Sequence, residues 1–288
     1  MLGRFGLMVL WVSSTCAEAG EPPDFVKRIT PPEPLGPVLF AFNRKDLDGF
    51  STFLRYQKEK DPAHVFSVVD GCLRISGEEF GGITTKPGFA NYHLVAQWRW
   101  GGETYYPRRW RARNSGILVH GSGPEGDGLG AWMAGLESQI IEGGCGDLIL
   151  VPGKNQPPGR LEAEVRTGPD GQAYYQLGGT VVTRTGGRLN WWGRDPAWND
   201  VIWFRGPDDL DRPFGEWNRT ELVCEGDRVT CFLNGRVANA ASHLSMTSGR
   251  ILFQSEGAEI LFRKIEIRSL PPKLDGNGAT PSRPAGPR

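Results

Sequence analysis

Residues 132–152 read WMAGLESQIIEGGCGDLILVP. Leu136, Ile140, Ile141 and the run Ile149, Leu150, Val151 are apolar, and Gly143-Gly144 interrupts them. The first half reads as a strand, in which residues i and i+2 share a face. Glu137 and Gln139 therefore project side by side from one sheet. Burying such groups unpaired costs roughly 1–3 kcal/mol each. Two readings follow: an exposed edge strand with a solvated face, or a site on the open face of a curved sheet.

Outward from this stretch the chain continues as strands and turns. Residues 65–69 and 72–76 flank Asp70-Gly71, a strong hairpin signal. Residues 92–100 alternate, with Leu94, Ala96 and Trp98 on one side. In 114–120 the apolar Ser115, Ile117, Val119 set faces a core, which leaves Asn114 and His120 on the other side. Residues 161–167 and 173–177 bracket Pro169-Asp170-Gly171. Residues 221–225 and 229–233 bracket Gly226-Asp227, with a further turn at Asn234-Gly235, and 250–256 and 259–268 close the series. No helix-period run exceeds two turns. Many short strands with frequent turns predict an all-β fold, a two-sheet antiparallel sandwich or a barrel. A unit of this length, about residues 38–270, buries a full core.

The chain has 288 residues, 40 of them Gly and 10 Trp, and Lys+Arg equal Asp+Glu at 33 each. That balance gives no global field for nucleic acid or an anionic membrane. Residues 1–19 read as an export signal: Arg4, an apolar core at 5–12, and Ala17-Glu18-Ala19 as the cleavage site. The core is too short to span a bilayer. Lipid attachment at Cys16 is the alternative, with Ser13-Ser14-Thr15 a poor lead-in. Residues 20–37 are a proline-rich leader that cannot form a continuous helix, hence a linker or an arm lying on the domain. Residues 271–288 have a disordered composition. Cys72, Cys145, Cys224 and Cys231 remain after cleavage, and an oxidising compartment permits three pairings. A tight turn at Gly226-Asp227 sets Cys224 opposite Val229 and diagonal to Cys231. The spacings match no zinc site.

Residues 187–207, GRLNWWGRDPAWNDVIWFRGP, read as a long loop. It is either functional, with Trp191, Trp192 and Arg194 as sugar contacts, or a hydrophobic plug. Alternation also assembles a constellation. Asn114 and His120 lie on one strand, Glu137 and Gln139 on a second, Gln254 and Glu256 on a third. Two carboxylates and a histidine on one surface suit acid–base chemistry on a sugar, or, alternatively, a divalent metal held by Glu137, His120 and Glu256. Asp46 and Asp48 read as turn formers.

An ordered set of short stretches resembles one family. The set is Leu39-Phe40 with Asp46-Leu47-Asp48-Gly49-Phe50; Val69-Asp70-Gly71-Cys72-Leu73; Gly82-Ile83-Thr84-Thr85; Asn91-Tyr92-His93-Leu94; Asn114-Ser115-Gly116-Ile117; Glu137-Ser138-Gln139-Ile140; Trp217-Asn218; Asn234-Gly235; and Gln254-Ser255-Glu256-Gly257 with Phe262-Arg263-Lys264-Ile265. Their order and spacing resemble the 3-keto-disaccharide hydrolase domain over nearly the whole folded unit. The resemblance implies a concanavalin-like lectin/glucanase jelly roll with a concave sugar-binding face. Departures include Phe50 and Phe66 where Trp is common, Glu142 where Asp is common, Glu256 where many members carry His, and His120 where many carry Arg.

The implied activity is cleavage of 3-keto-glycosides by elimination and hydration, with an oligosaccharide or glycoside as partner and no cofactor required by the sequence. On that reading Glu137 is the base and Glu256 or His120 the acid, while Gln139, Gln254 and Asn114 orient the sugar. A non-catalytic carbohydrate-binding module and an envelope interaction domain are the competing readings. The paired carboxylates favour the enzyme, because a binding face can manage with aromatics and amides.

Overall fold

The computed structural model describes residues 21–33 and 36–270. The export signal read in residues 1–19 and the tail at 271–288 lie outside the described residues. The elements are α1 (Asp24–Arg28) and, in chain order, β1 (Val38–Ala41), β2 (Phe50–Leu54), β3 (Phe66–Val69), β4 (Cys72–Ile75), β5 (Gly81–Thr85), β6 (Tyr92–Thr104), β7 (Asn114–Ser122), β8 (Ala134–Ile141), β9 (Leu148–Val151), β10 (Leu161–Thr167), β11 (Ala173–Tyr175), β12 (Thr180–Arg184), β13 (Gly187–Leu189), β14 (Asn218–Glu225), β15 (Arg228–Leu233), β16 (Arg236–Ala241), β17 (Arg250–Ser255) and β18 (Ala258–Ser269).

Two antiparallel sheets face each other in a jelly-roll sandwich. One runs β16-β15-β14-β6-β18-β4-β3, with β1 also on β18; the other runs β13-β9-β8-β7-β17-β5-β2. A third, small sheet is β11-β10-β12. Period-2 alternation builds the core between the two large sheets. On β6 it contributes Tyr92, Leu94, Ala96, Trp98 and Trp100, all buried. Ile117 and Val119 of β7, Leu136 and Ile140 of β8, and Phe253 of β17 answer from the other sheet. Trp98 is wholly buried, so its indole N–H needs a partner, and it donates to Thr220 Oγ1 at 2.9 Å.

The two-residue turns Asp70-Gly71 and Asn234-Gly235 both have positive φ at each residue, the backbone twist that closes an antiparallel hairpin. Cys224 does stand opposite Val229, with Cys231 opposite Leu222. All four described cysteines are free thiols buried in the protein. Cys231 Sγ lies 3.3 Å from Ser138 Oγ. Residues 24–28 of the leader form a short helix that lies on the domain, with Phe25 and Val26 buried. Pro23 precedes α1, where a missing N–H costs nothing. Phe25 packs edge-on to Tyr175 at 5.5 Å. No helix among the described residues is long and apolar enough to cross a membrane.

Candidate active site on the open face of the seven-stranded sheet

β8 turns Leu136, Ser138 and Ile140 into the core, so Glu137, Gln139 and Ile141 point to the opposite, open face. Register carries that face across the sheet. Glu137 pairs with Leu118 on one side and Ile149 on the other, and Ile149 with Arg188 of β13. Gln139 pairs with Gly116, and Asn114 with Ile141. Gln254 pairs with Gly82 of β5, and Glu256 follows β17 directly.

A cavity of about 300 Å³ opens here, lined among others by Asn114, Glu137, Gln139, Glu256, Arg108 and Arg188. One wall is built on the small apolar cluster of Leu118, Trp132, Met133, Val151 and Leu252. Trp132 is fixed by its indole N–H, which donates to Gly81 O at 2.8 Å, and by stacking on Phe80. The opposite wall is the loop carrying Trp198 and Asp200. Glu142 ties that loop down, accepting from Trp203 N at 3.1 Å through its carboxylate and from Trp198 Nε1 at 2.8 Å through its carbonyl. Arg113 closes the clamp, ion-paired to Glu142 at 2.6 Å and packed against the rings of Trp203 and Phe214.

The floor is polar and incompletely paired. Asn114, Glu137, Gln139 and Gln254 are each buried, at 4, 5, 4 and 0% exposure. Yet Asn114 Oδ1, Glu137 Oε1, Gln139 Oε1 and both ends of the Gln254 amide have no hydrogen-bond partner. Arg108 Nε is also buried and unpaired. Folded proteins satisfy nearly all such atoms, so the convergence of Asn114, Glu137, Gln139 and Arg108 on one cavity, with Gln254 packed beside Glu137, marks a place for a hydroxyl-rich ligand.

Burial raises the Glu137 carboxyl to about 8, helped by the charge of Glu256 and opposed by Arg188. Gln254 lies against Glu137 without closing a hydrogen bond of normal geometry. Burial likewise raises Glu256, to about 7, opposed by Arg108 and by a hydrogen bond from Asn114. Two carboxyls that repel one another and are shielded from water hold one proton between them near neutrality.

The structure brings together Glu137, Glu256, Asn114, Gln139 and Gln254, as alternation predicts. It does not bring His120. Between the pairs Val119–Leu136 and Ser122–Ala134 the register shifts by one residue, and His120 takes φ +56° at this bulge. The bulge reverses the alternation, so the imidazole turns into the inter-sheet core. It is fully buried there, edge-on to Tyr92, with Nδ1 2.9 Å from Met246 O. Burial holds its pKa down, to about 4. The metal set of Glu137, His120 and Glu256 is therefore not assembled. Among the described residues no group of three or more His, Cys, Asp and Glu side chains is arranged to hold a metal ion. Asp46 is a turn former, bonded to Asn43 Nδ2 and Asp48 N.

Trp191 and Trp192 are also not at the cavity. They are 1% and 5% exposed and belong to the main core, where Trp192 Nε1 donates to Val237 O at 2.9 Å. This is the hydrophobic-plug reading of the 187–207 stretch. Arg194 is buried beneath them against Asp147 and over the Trp198 ring.

Sequence reasoning missed Arg108, Trp132, Arg188 and Trp198. Arg188 sits in a three-residue strand inside a stretch read wholly as loop. A period-2 reading of Gly187, Arg188 and Leu189 against the buried Leu189 would have found it. Arg108 and Trp198 stand on irregular loops, where no periodicity reports direction.

The molecule is thus an antiparallel jelly roll with two carboxyls on one open face. The family model described as the 3-keto-alpha-glucoside-1,2-lyase-like domain matches residues 39–268, and the chain belongs to that family. Among solved structures it is similar to a candidate glycosyl hydrolase from Parabacteroides distasonis ATCC 8503, at 19% identity and TM-score 0.45, covering 80% of this chain and 92% of that one. It is similar also to the Bacillus licheniformis β-glucanase, at 10% identity and TM-score 0.42, covering 81% and 98%. A curated relative, phosphoglycerate kinase of Desulforudis audaxviator (strain MP104C), is 30% identical over 120 residues, 40% of this chain. The match spans 30% of that kinase's length.

Proposed function

We propose that the chain cleaves the glycosidic bond of 3-keto-glycosides by elimination followed by hydration, with Glu256 as base and Glu137 as acid. The observation that carries this reading is the pair formed by the buried Glu137 and the partly buried Glu256, both lining one cavity of about 300 Å³ together with the amides of Asn114 and Gln139. Family membership supports the substrate class. The export signal read in residues 1–19 supports action outside the cytoplasm.

The ketone at C3 acidifies the proton at C2. The Glu256 carboxylate takes that proton, and the C–H electrons form the C2=C3 bond of an enolate with charge on the C3 oxygen. The enolate then collapses: C3=O re-forms, C1=C2 forms, and the C1–O bond breaks as Glu137 donates its proton to the departing oxygen. Water adds at C1, losing a proton to Glu137, and Glu256 returns its proton to C2. The net change is hydrolysis, with both carboxyls restored and no redox step.

The roles follow from surroundings and reverse the assignment of Glu137 as base. Arg108, Asn114 and Arg55 favour the anion at Glu256, whereas Arg188 favours it at both carboxyls. Glu137 has an unpaired Oε1, and Asp147 adds to its repulsion. The proton of the pair therefore rests on Glu137. Environments that push two carboxyls apart set the acid and the base.

The test uses aryl 3-keto-glucosides with aglycones of graded acidity, alongside the unmodified glucosides. Glu256→Gln should cut turnover by ~10²–10⁴-fold on every 3-keto substrate, the usual loss for a general base. Glu137→Gln should release poor leaving groups comparably slowly, yet release 4-nitrophenol, which needs no acid, at a nearly normal rate in the first turnover, with the hydration that follows slowed. The opposite pattern returns the base role to Glu137. Sugar binding with no release from any substrate would establish the binding-module reading instead.

A further inference from the structure

Within the proposed reaction, the oxygen that gains charge is the C3 carbonyl oxygen, and both carboxyls are otherwise engaged, Glu256 as the anionic base and Glu137 with its proton directed to the leaving oxygen. A donor is required, and the hairpin between β8 and β9 supplies an arrangement for one. Residues 142–147, Glu-Gly-Gly-Cys-Gly-Asp, end in Asp147, which is wholly buried. Its carboxylate accepts from Trp191 N at 2.8 Å, from Arg188 Nη1 at 2.6 Å and from Arg194 Nη1. Gly144 leaves room for the Arg194 guanidinium, since a Cβ there would collide with Nη1.

One carboxylate thus serves two arginines, and the cluster retains one surplus positive charge. The two arginines divide that charge unequally in space. The Arg194 side chain is 7% exposed and covered by Trp198, whereas that of Arg188 is 33% exposed and lines the cavity. β13 sets Arg188 on the same rung as Glu137, two strands away. Among the described residues the Arg188 side chain makes one hydrogen bond, through Nη1 to Asp147. Its remaining N–H groups have no protein acceptor. Arg108 differs: one nitrogen already serves both Ala112 O and Asp200 at 2.8 Å each.

We infer that Arg188 is the oxyanion donor of this site, presenting its free N–H groups to the C3 oxygen of the bound 3-keto sugar, and that Asp147 is the positioning residue that fixes it. This rests on the function proposed above. Preorganised donors aimed at developing charge in a water-poor site are among the largest contributors to rate. The shared carboxylate explains the second arginine. Arg194 neutralises Asp147, so that Arg188 is held in place without giving up its charge.

The test measures kcat, KM and C2 hydrogen exchange in D2O for Arg188→Gln, Arg188→Lys, Asp147→Asn and the Arg188→Gln/Asp147→Asn double variant. Methyl 3-keto-glucoside serves for the exchange, because a poor leaving group lets the enolate return. Arg188→Gln leaves Asp147 paired with Arg194, and its melting temperature should stay close to wild type. Its kcat and its exchange rate should fall together by ~10²–10³-fold, the usual loss of an oxyanion donor, with KM little changed. Arg188→Lys should recover part of both. Asp147→Asn should lose kcat in the same sense, and add little once Arg188 is already Gln. Full kcat and exchange in Arg188→Gln, or a change in KM alone, would overturn the assignment while leaving the parent reaction standing. Wild-type protein that neither cleaves nor exchanges any 3-keto-glucoside overturns both.

Discussion

Gly116→Ala tests the assembled site without touching a charged group. Gly116 sits in β7 opposite Gln139, between the carboxylate of Glu137 and the amide of Gln254. A Cβ at this position would lie 2.6 Å from Gln254 Oε1 and nearer still to Glu137 Oε1. Ordinary contact begins at 3.4 Å, so the shortfall is about 0.8 Å (3.4 less 2.6) for the glutamine and larger for the glutamate. The φ of Gly116 is not in the left-handed region, so alanine is acceptable to the backbone. Overpacking of this kind costs ~1–3 kcal/mol, while replacing a strand glycine returns ~0.5–1 kcal/mol. The fold should therefore survive with a modest loss in melting temperature. Displacing the acid and its neighbour by about 1 Å should cost roughly 10²-fold in turnover. The assay is aglycone release from an aryl 3-keto-glucoside, with Gly102→Ala as the matched control, because no atom lies within 4 Å of a Cβ there. Wild-type turnover in Gly116→Ala at unchanged stability would refute the claim that Glu137 and Gln254 form one working arrangement.

The raised carboxyls make stability depend on pH. Glu137 and Glu256 titrate in the unfolded chain near 4.5 and in the fold near 8 and 7. Raised folded values stabilise fully below about pH 4.5, and that contribution is lost as pH rises toward 8. The melting temperature of Glu137→Gln, plotted against pH, should decline less steeply over this window than that of wild type, and parallel curves would contradict the buried pair. Catalysis with an anionic base and a neutral acid should peak between the two values of the pair, which a kcat/KM profile checks. Trp191→Ala should destabilise by the ~3–5 kcal/mol of a large core deletion and leave KM for any sugar substrate unchanged, measured by denaturant unfolding and steady-state kinetics. His120→Asn, which suits the left-handed backbone at that bulge, should lower stability yet keep turnover of a 3-keto-glucoside within a few-fold of wild type.

The sequence by itself determined most of the strands, an all-β sandwich or barrel, and the shared face of Glu137 and Gln139. Strict alternation around Glu137 and Gln139 needs no knowledge of the rest of the fold, because the side-chain period of a strand is a property of the local backbone. The same local rule placed Cys224 opposite Val229 once Gly226-Asp227 fixed the turn. Where local rules stopped, tertiary structure decided. One inserted residue at His120-Gly121 turned an apparent site histidine into the core, and bulges leave only a weak trace in hydropathy. Trp191 and Trp192 were aromatic in either reading, and only the sheet packed above them made them a plug. Arg188 gained its place from pairing with β9, a long-range contact that a three-residue strand does not announce. The perturbed carboxyls were invisible to composition. Proton affinity in a buried site is set by what surrounds the group in space, and β7, β8, β13 and β17 are brought to that cavity from distant parts of the chain.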